Sequence, residues 1–515
     1  MSGVSFKSED VEVLPRKVPS IQRVSVAVLI ILSEASMFYD KSAQDGSIPL
    51  IQSFFVLSDS SAALIQTLSV LSSSLAMVSV GIIGDRVDKR HLVLLSVGSW
   101  FCMSALSLFV PASQYWLFVV LRTCTEIGHS MMLVLSKVVI SELFEDATVG
   151  RVYMLAALAN IITVLSAASI TSYFVSNNLG WQFAVALPIP LEGICVLLLF
   201  CLQPVSVYII LNSNVYEEDR FDTFLQSSRP SCKQDLKSFL GDVRQLLTIR
   251  SFGLILMAVS CQSLFTKATS FWLPSLVLHA WTATQDTTYE GLSYTQVMTF
   301  NSLCGLVSVV LGLPILATII EKWRTGRCLC GARPFPYAIP LSMGALQLFA
   351  FAMVTLQILS YTTSYAVNLM AQSLNFFMVS PIASLLPQLI FSVVARRNRA
   401  CAYSIITLVS GLVGMPSAQY VGLVSDLYRA GSEDPLVRFR GIAMGMLVIV
   451  TLFGVGGLFY LLILRYYSAD TERVRAEDRE EEEEAPLMGG DRGRTESVLE
   501  QALSRRTTLL EPMVN

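Results

Sequence analysis

The chain has 515 residues, of which 53% are hydrophobic and 15% are charged, and its formal net charge is −3. A composition this apolar excludes a single soluble globular domain and indicates a protein that crosses a membrane several times. Because unpaired backbone groups are too costly in lipid, only helices or closed barrels span it, and the long uninterrupted apolar runs here indicate helices.

The sequence contains no common catalytic motif. It has no glycine-rich phosphate-binding loop of the Walker type, no zinc-ligand motif and no nucleophile elbow. We therefore predict no catalytic residues, no metal site, no cofactor and no nucleic-acid partner, and we do not expect ATP-driven transport.

The apolar runs form two groups of six, each run near the ~20 residues that cross a hydrocarbon core. The first group is predicted at 24–42, 62–83, 92–110, 115–143, 152–174 and 181–212. The second group is predicted at 252–281, 297–320, 337–358, 365–394, 402–427 and 441–467.

These runs predict an all-α membrane protein with 12 transmembrane helices, numbered here as spans 1 to 12. Its predicted parts are a cytosolic segment 1–21, a six-helix half 22–212, a cytosolic linker 213–250, a second six-helix half 251–467 and a cytosolic, disordered tail 468–515. Two six-helix halves are the layout of alternating-access carriers, whose binding site lies near the membrane midplane between the halves.

The distribution of Lys and Arg predicts the orientation, because cytosolic loops carry an excess of positive residues. The connections after spans 2, 6, 8 and 10 are rich in Lys and Arg, and those after spans 3, 5, 7 and 9 have essentially none. We therefore predict that both termini are cytosolic. The connection after span 11 departs from this pattern, with Arg429, Arg438 and Arg440.

Span 1 contains three ionisable residues, Glu34, Asp40 and Lys41. Ionisable groups inside a span are costly and by default indicate function. We predict that Asp40 takes part in proton coupling and that Glu34 contributes to substrate binding, although the sequence gives no partner for Glu34. Lys41 lies near the predicted end of the span, where its long side chain can extend to the membrane interface.

A charged loop with two glycines joins spans 2 and 3. Glycines allow helices to approach closely, and charges at this position can latch and release paired helices. We predict a gating motif, formed by Gly81, Gly84, Asp85, Arg86 and Arg90.

Span 4 carries Arg122, Glu126 and His129, whose spacing of four and three residues places them on one helix face. A nearby arginine favours the charged form of a carboxyl group and burial disfavours it, so a change in access can couple protons to transport. Two interpretations stay open: proton coupling by these residues together with Asp40, or an Arg122–Glu126 pair that only ties span 4 to span 1.

Span 7 contains Lys267, one turn before Trp272. A buried cation there can attract an anionic head group such as a phosphate, or it can have a purely structural role. We predict substrate binding by Lys267 and Trp272 together with three polar residues of span 10, which can alternatively hydrogen-bond between helices. These three are Gln372, Ser373 and Asn375.

The tail contains a run of glutamates, 480–484, followed by Leu487 and Met488. Such a run is usually only a solvated surface. Because Glu483 lies four residues before Leu487, the segment also resembles an acidic dileucine sorting signal. We predict that Glu483, Leu487 and Met488 bind clathrin-adaptor sorting machinery.

The loop after span 2 resembles the signature loop of the major facilitator superfamily, and the order of the surrounding motifs resembles the spinster family of lipid carriers. The resemblance covers most of residues 22–467. It rests on Asp40-Lys41, Phe54-Phe55, Asp59-Ser60-Ser61, Leu64-Ile65-Gln66-Thr67, Gly84-Asp85-Arg86, Arg122, Arg151, Trp272 with Pro274, Arg396-Arg397 and the segment 422–426. Three positions differ from the family pattern: Lys41 replaces an arginine, His129 replaces a glutamate, and span 10 lacks an acidic residue.

The resemblance implies lysophospholipid or sphingosine-type substrates, proton linkage and a lysosomal location. We therefore expect a proton-linked secondary transporter that moves a single-chain lipid across the lysosomal membrane toward the cytosol. Two alternatives stay open: a plasma-membrane exporter of a phosphorylated sphingoid base or another organic anion, and a transport-inactive membrane scaffold or sensor.

Overall fold

A computed structural model of the protein describes residues 20–83, 89–144, 146–201, 244–326, 335–395 and 399–477. Throughout these residues the chain forms helices joined by turns and short connections, and they contain no strand. The prediction of an all-α protein is therefore confirmed.

Eight helices precede the undescribed linker, and α7 and α8 together form one membrane span. They are α1 (Ser20–Gly46), α2 (Ile48–Phe55), α3 (Asp59–Ile83), α4 (Lys89–Ser107), α5 (Tyr115–Leu143), α6 (Asp146–Ser176), α7 (Trp181–Ala186) and α8 (Pro188–Cys201).

After residue 243, the described residues form eight further helices of the bundle, besides the helical stretches 244–248 before them and 467–477 after them. Two pairs, α12 with α13 and α14 with α15, each form one span. The eight helices are α9 (Arg250–Thr284), α10 (Tyr294–Thr325), α11 (Ala338–Ser360), α12 (Tyr365–Val379), α13 (Ile382–Val393), α14 (Arg399–Gly414), α15 (Ser417–Arg429) and α16 (Pro435–Ile463).

Within the described ranges, ten segments are long and apolar enough to cross a membrane by length and hydropathy. Helices α1 and α4 complete the two sets of six: α1 has 27 residues but carries several charges, and the described apolar part of α4, His91–Ser107, is shorter. The predicted arrangement of the spans along the chain is thus reproduced, with local differences.

The differences between predicted and observed helix bounds have identifiable causes. Proline interrupts spans 10 and 11, at Pro381 and Pro416, because it lacks the N–H that a continuous helix requires. Helix α10 begins three residues earlier than predicted, because Ser293 and Gln296 form a capping box at its N-terminus. Helix α1 continues four residues past the predicted end, to Gly46.

The ends of the bundle are named here by the chain: the linker end is where α8 ends and α9 begins, and the far end is opposite. Buried apolar residues near the far end form one cluster that includes side chains of both halves, such as Trp181 and Trp272. Toward the linker end, the described residues form two separate clusters, one from each half. The buried apolar core is therefore shared between the halves near the far end and divided between them toward the linker end.

Candidate functional site

An ion pair between α1 and α5 lies at the centre of the first half. The Arg122 Nη1 donates to both carboxylate oxygens of Asp40, at 2.9 Å each. Both side chains are almost completely buried. Ser104 of α4 also donates to Asp40, at 3.4 Å. The Nε and Nη2 groups of Arg122 have no hydrogen-bond partner among the described residues, so both can donate further hydrogen bonds.

A second charged group lies beside this pair. Lys41 Nζ is 3.2 Å from Glu126 Oε1 and donates to Gln66 Oε1 at 2.6 Å. His129 Nδ1 lies 3.6 Å from the other carboxylate oxygen of Glu126. The structure thus brings together the four residues predicted for proton coupling, Asp40, Arg122, Glu126 and His129.

The expectation for Lys41 is wrong in one respect. Its side chain does not extend to the membrane interface, because α1 continues to Gly46 and keeps Lys41 inside the helix, with Asp45 one turn further on at 3.9 Å. Lys41 is only 19% exposed and faces Glu126. It therefore belongs to the charged centre.

Glu34 has a different environment. It accepts from Lys137 of α5 at 2.9 Å and from Asn160 of α6 at 3.0 Å. Glu34 is buried, whereas Lys137 is about half exposed. This pair ties α1 to α5 and α6, and substrate binding by Glu34 stays a prediction.

Lys267 of α9 is the charged residue that the second half directs toward this centre. It is partly buried and lies within electrostatic range of Lys41, Glu126 and Asp45. Charges from both halves therefore meet between α1, α5 and α9, where a carrier of two halves is expected to bind its substrate.

Trp272 is fully buried, and its indole Nε1 donates to the Ala418 carbonyl oxygen at 2.8 Å. This bond joins α9 to the start of α15. Its predicted contact with substrate stays a prediction.

The polar residues of α12 belong largely to a hydrogen-bonded network among α10, α11 and α12. Gln372 accepts from Gln357 at 3.3 Å and donates to the Asn301 carbonyl oxygen at 3.0 Å. Ser373 donates to Leu369 of its own helix at 2.8 Å. Asn375 is buried, and its Oδ1 has no hydrogen-bond partner among the described residues. Their predicted role in substrate binding is not tested by these contacts.

The predicted gating and sorting motifs fall mostly outside the described residues. Gly81 lies in the last turn of α3, and Arg90 lies in the first turn of α4. Gly84, Asp85 and Arg86 lie outside the described ranges, as do Glu483, Leu487 and Met488.

Residues that the sequence analysis did not assign to a site join the two halves at the far end. The Asp59 carboxylate, at the start of α3, accepts from Arg438 of α16 at 2.6 Å and from Ser425 of α15 at 2.7 Å. The Asp426 carboxylate accepts from the backbone N–H groups of Asp59 at 3.1 Å and Ser60 at 2.9 Å. We refer to Asp59, Ser60, Ser425, Asp426 and Arg438 as the far-end bridge.

Two signals in the sequence pointed to this bridge. Arg438 and Arg429 departed from the predicted distribution of positive charge, and each has an acidic partner: Arg438 pairs with Asp59, and Arg429 lies 3.9 Å from Asp426. In addition, two motifs of the family resemblance meet here. A Cβ atom at Gly422 would lie 2.8 Å from the Asp59 carbonyl oxygen, so glycine permits the close approach of α15 to α3.

Comparison with known proteins assigns this fold to a family. Residues 30–418 match the family model of the Major Facilitator Superfamily. The chain is 26% identical over 454 residues to protein spinster homolog 3 of Danio rerio, covering 87% of this chain and 86% of the relative. It is 24% identical over 458 residues to the sphingosine-1-phosphate transporter SPNS2 of Mus musculus, covering 88% of this chain and 79% of the relative.

Solved structures with this fold are also transporters. The chain is similar to a bacterial homolog of the human lysosomal transporter Spinster in an inward-facing and unoccupied conformation, with a TM-score of 0.67, 14% identity and coverage of 88% of this chain and 98% of that chain. It is similar to a D-xylose-proton symporter with a TM-score of 0.60, 13% identity and coverage of 85% and 97%. The resemblance to the spinster family and the predicted fold class are confirmed.

Proposed function

Because the chain belongs to the Major Facilitator Superfamily, and is thus a multi-pass membrane transporter rather than an enzyme, we propose that it moves a single-chain lipid by proton-linked secondary transport. The proposed substrate is a lysophospholipid or a sphingosine-type lipid, moved from the lysosomal lumen toward the cytosol. The observation that carries this proposal is the buried charged centre of α1 and α5, which Lys267 faces from the other half.

The proposed coupling step is protonation of Asp40. In the Asp40–Arg122 pair both charges are buried, so each depends on the other for stabilisation. A proton on Asp40 removes the anionic partner of Arg122 and leaves the guanidinium free to bind an anionic group of the substrate. Glu126 and His129 give the centre a second carboxyl group and an imidazole beside it.

The proposed head-group contacts come from two lysines on opposite halves, Lys41 and Lys267. An anionic head group between them would draw α1 and α9 together and close the linker end. Glu34, Trp272, Gln372, Ser373 and Asn375 complete the proposed set of substrate-binding residues, with the role of each still to be tested.

The proposed orientation places the linker end in the cytosol, because the connections at that end carry the excess of Lys and Arg. Asp85 and Arg86, which lie between α3 and α4 in the sequence, are proposed to latch the cytosolic gate. The tail residues Glu483, Leu487 and Met488 are proposed to bind clathrin adaptors and direct the protein to lysosomes.

A second candidate function is export of a phosphorylated sphingoid base at the plasma membrane. It is favoured by the similarity to SPNS2, whose name states sphingosine-1-phosphate transport, and by the two lysines that face the centre. Such a substrate carries a phosphate, which suits a site with cations on both sides.

The first experiment measures efflux of labelled lysophospholipid and sphingosine from lysosomes of cells that lack the protein and are rescued with variants. Wild-type protein should restore efflux, whereas Asp40→Asn and Arg122→Ala should not. The control is Glu321→Gln, which alters an exposed acid near the linker end, outside the charged centre and the proposed substrate-binding residues. Normal efflux with both Asp40→Asn and Arg122→Ala would refute the proposed coupling, and lipid binding without any flux of the wild type would indicate a scaffold or sensor.

The second experiment locates the protein with and without Leu487→Ala and Met488→Ala. Lysosomal wild type that moves to the cell surface when both residues are changed supports the sorting proposal. Wild type already at the cell surface favours the exporter of a phosphorylated sphingoid base.

A further inference from the structure

A buried acid in α8 has no role in the charged centre described above. Glu192 is fully buried, and neither of its carboxyl oxygens has a hydrogen-bond partner among the described residues. It lies in a helix whose other residues are apolar or small. An acid in such a helix is costly and calls for an explanation.

The groups nearest to Glu192 are hydroxyls, not cations. Ser33 and Ser36 of α1 lie beside the carboxyl group, but not in the geometry of a formed hydrogen bond. Both hydroxyls are buried and also lack a partner among the described residues. The thiol of Cys195, one turn further along α8, lies near Ser33. Buried polar groups without partners are rare, so their presence together marks a site.

The charged residues of the neighbouring elements are either paired elsewhere or distant. Helix α8 packs against α1 and α4 and adjoins α7. On α1, Glu34 pairs with Lys137, Asp40 with Arg122, and Lys41 with Glu126 and Asp45. On α4, Lys89, Arg90 and His91 lie in the first turn, at the linker end, and Cys102 is exposed; Arg23 lies in the first turn of α1, at the same end. Helix α7 contains no ionisable side chain.

A buried carboxylate with no cation nearby would carry a large desolvation penalty, which a bound proton removes. A protonated carboxyl group can donate to one serine hydroxyl and accept from the other, so one proton also satisfies the unpartnered oxygens. We infer that Glu192, with Ser33 and Ser36, is a second proton-binding site that holds a proton in this conformation.

The position of this site connects it to Asp40. Ser33, Ser36 and Asp40 are spaced three and four residues apart and share one face of α1. One turn of helix spans about 5.4 Å, a gap that a single water can bridge. The proton leaves the Glu192 carboxyl group and binds the Asp40 carboxylate, so Glu192 gains the negative charge that Asp40 loses. This transfer rests on the proposed proton linkage, whereas the protonated state of Glu192 does not.

Infrared difference spectroscopy of the purified protein in lipid tests the protonated state directly. At neutral pH, wild type should show the C=O stretch of a protonated carboxyl group that is absent in Glu192→Gln. The matched control is Glu34→Gln, which removes a buried carboxyl group paired with lysine and should leave that band unchanged. An identical band in wild type and Glu192→Gln would overturn the inference.

A stability measurement covers the case in which Glu192→Gln folds poorly. Because removal of a protonated, neutral carboxyl group leaves no charged partner behind, Glu192→Leu and Glu192→Gln should both keep the melting temperature of wild type or raise it. A marked fall with Glu192→Leu would indicate an unseen cationic partner and would overturn the inference.

The role in transport is tested with proteoliposomes by comparing net lipid uptake driven by a pH gradient with lipid-for-lipid exchange, which needs no net proton movement. In Glu192→Gln, the ratio of net uptake to exchange should fall about a hundredfold, the lower end of the effect expected when one proton-transfer group is lost. An unchanged ratio would overturn the transfer to Asp40. Failure of wild type to move any lipid would overturn the proposed function, while the infrared result would still decide the state of Glu192.

Discussion

The two halves of the protein use different chemistry to satisfy their buried polar groups. The first half relies on ion pairs, such as Asp40 with Arg122 and Lys41 with Glu126. The second half relies largely on neutral groups. For example, the side-chain amide of Gln357 donates to the Tyr361 hydroxyl at 2.9 Å, and the backbone carbonyl oxygen of Gln357 accepts from the Asn368 side chain at 2.9 Å.

This difference gives the two halves different responses to a change in pH. An ion pair changes its interaction energy when one partner gains a proton, whereas an amide or phenol network keeps the same hydrogen bonds across the physiological pH range. The first half is therefore suited to sense protons, and the second half to provide a frame whose geometry does not depend on pH. Lys267 contributes a charge of the second half at the centre, and Asp426 and Arg438 do so at the far-end bridge.

The largest expected effect follows from removing one partner of the central pair. Arg122→Ala leaves the Asp40 carboxylate buried and unpaired, which should cost about 3–5 kcal/mol of stability and abolish transport. Thermal unfolding in detergent and lipid uptake measure the two effects. The double variant Asp40→Leu with Arg122→Met should recover most of the stability but no transport. Recovery of transport would mean that the pair is only structural.

The far-end bridge is where acidic and basic side chains of the two halves pair directly. Arg438→Ala should leave the Asp59 carboxylate without its cationic partner and weaken the contact between the halves. The probe is Ala62→Cys, at a fully buried position of α3 in a cysteine-free protein. Its thiol should then react several-fold faster with a membrane-impermeant maleimide. The charge exchange Asp59→Arg with Arg438→Asp should slow the reaction again. Equal labelling rates in all proteins would show that the bridge does not hold the far end closed.

A smaller change removes one titratable group from the charged centre. In Glu126→Gln, uptake should depend several-fold less on pH between lysosomal and neutral values, because Lys41 and His129 lose the carboxylate between them. The pH profile of uptake measures this effect. Glu321→Gln, a change at an exposed residue near the linker end, is the control and should keep the wild-type profile.

The smallest effect is expected from a change in the hydrogen-bonded network of neutral side chains in the second half. Gln372→Ala removes two buried hydrogen bonds and should cost about 1–3 kcal/mol, with no change in the pH profile of uptake. Thermal unfolding and the KM for lipid distinguish the two roles considered for this residue. A raised KM at unchanged stability would show that Gln372 binds substrate, as the sequence analysis predicted.

The fold could be predicted from the sequence because helices that cross a lipid bilayer must be long and apolar, and such helices appear in the sequence as long apolar runs. Which side chains pair with one another was harder to predict from the sequence than the fold. The approach of Glu126 to His129 follows from helix spacing within α5, but the partner of Arg438 lies 379 residues away in the sequence. Lys41 was misplaced because acidic residues near the end of α1 lower its hydropathy without ending the helix. Glu192 gave no sequence signal beyond a single charge in an apolar run.

The interruption between α14 and α15 has a mechanical consequence. Helix α15 is held at its start by the Trp272 indole and at its end by the far-end bridge. Ser417 donates to the Gly414 carbonyl oxygen at 2.8 Å, which satisfies a backbone acceptor at the interruption. We therefore expect the break to act as a hinge, about which α14 changes its position at the linker end while the contacts of α15 at the far end stay intact.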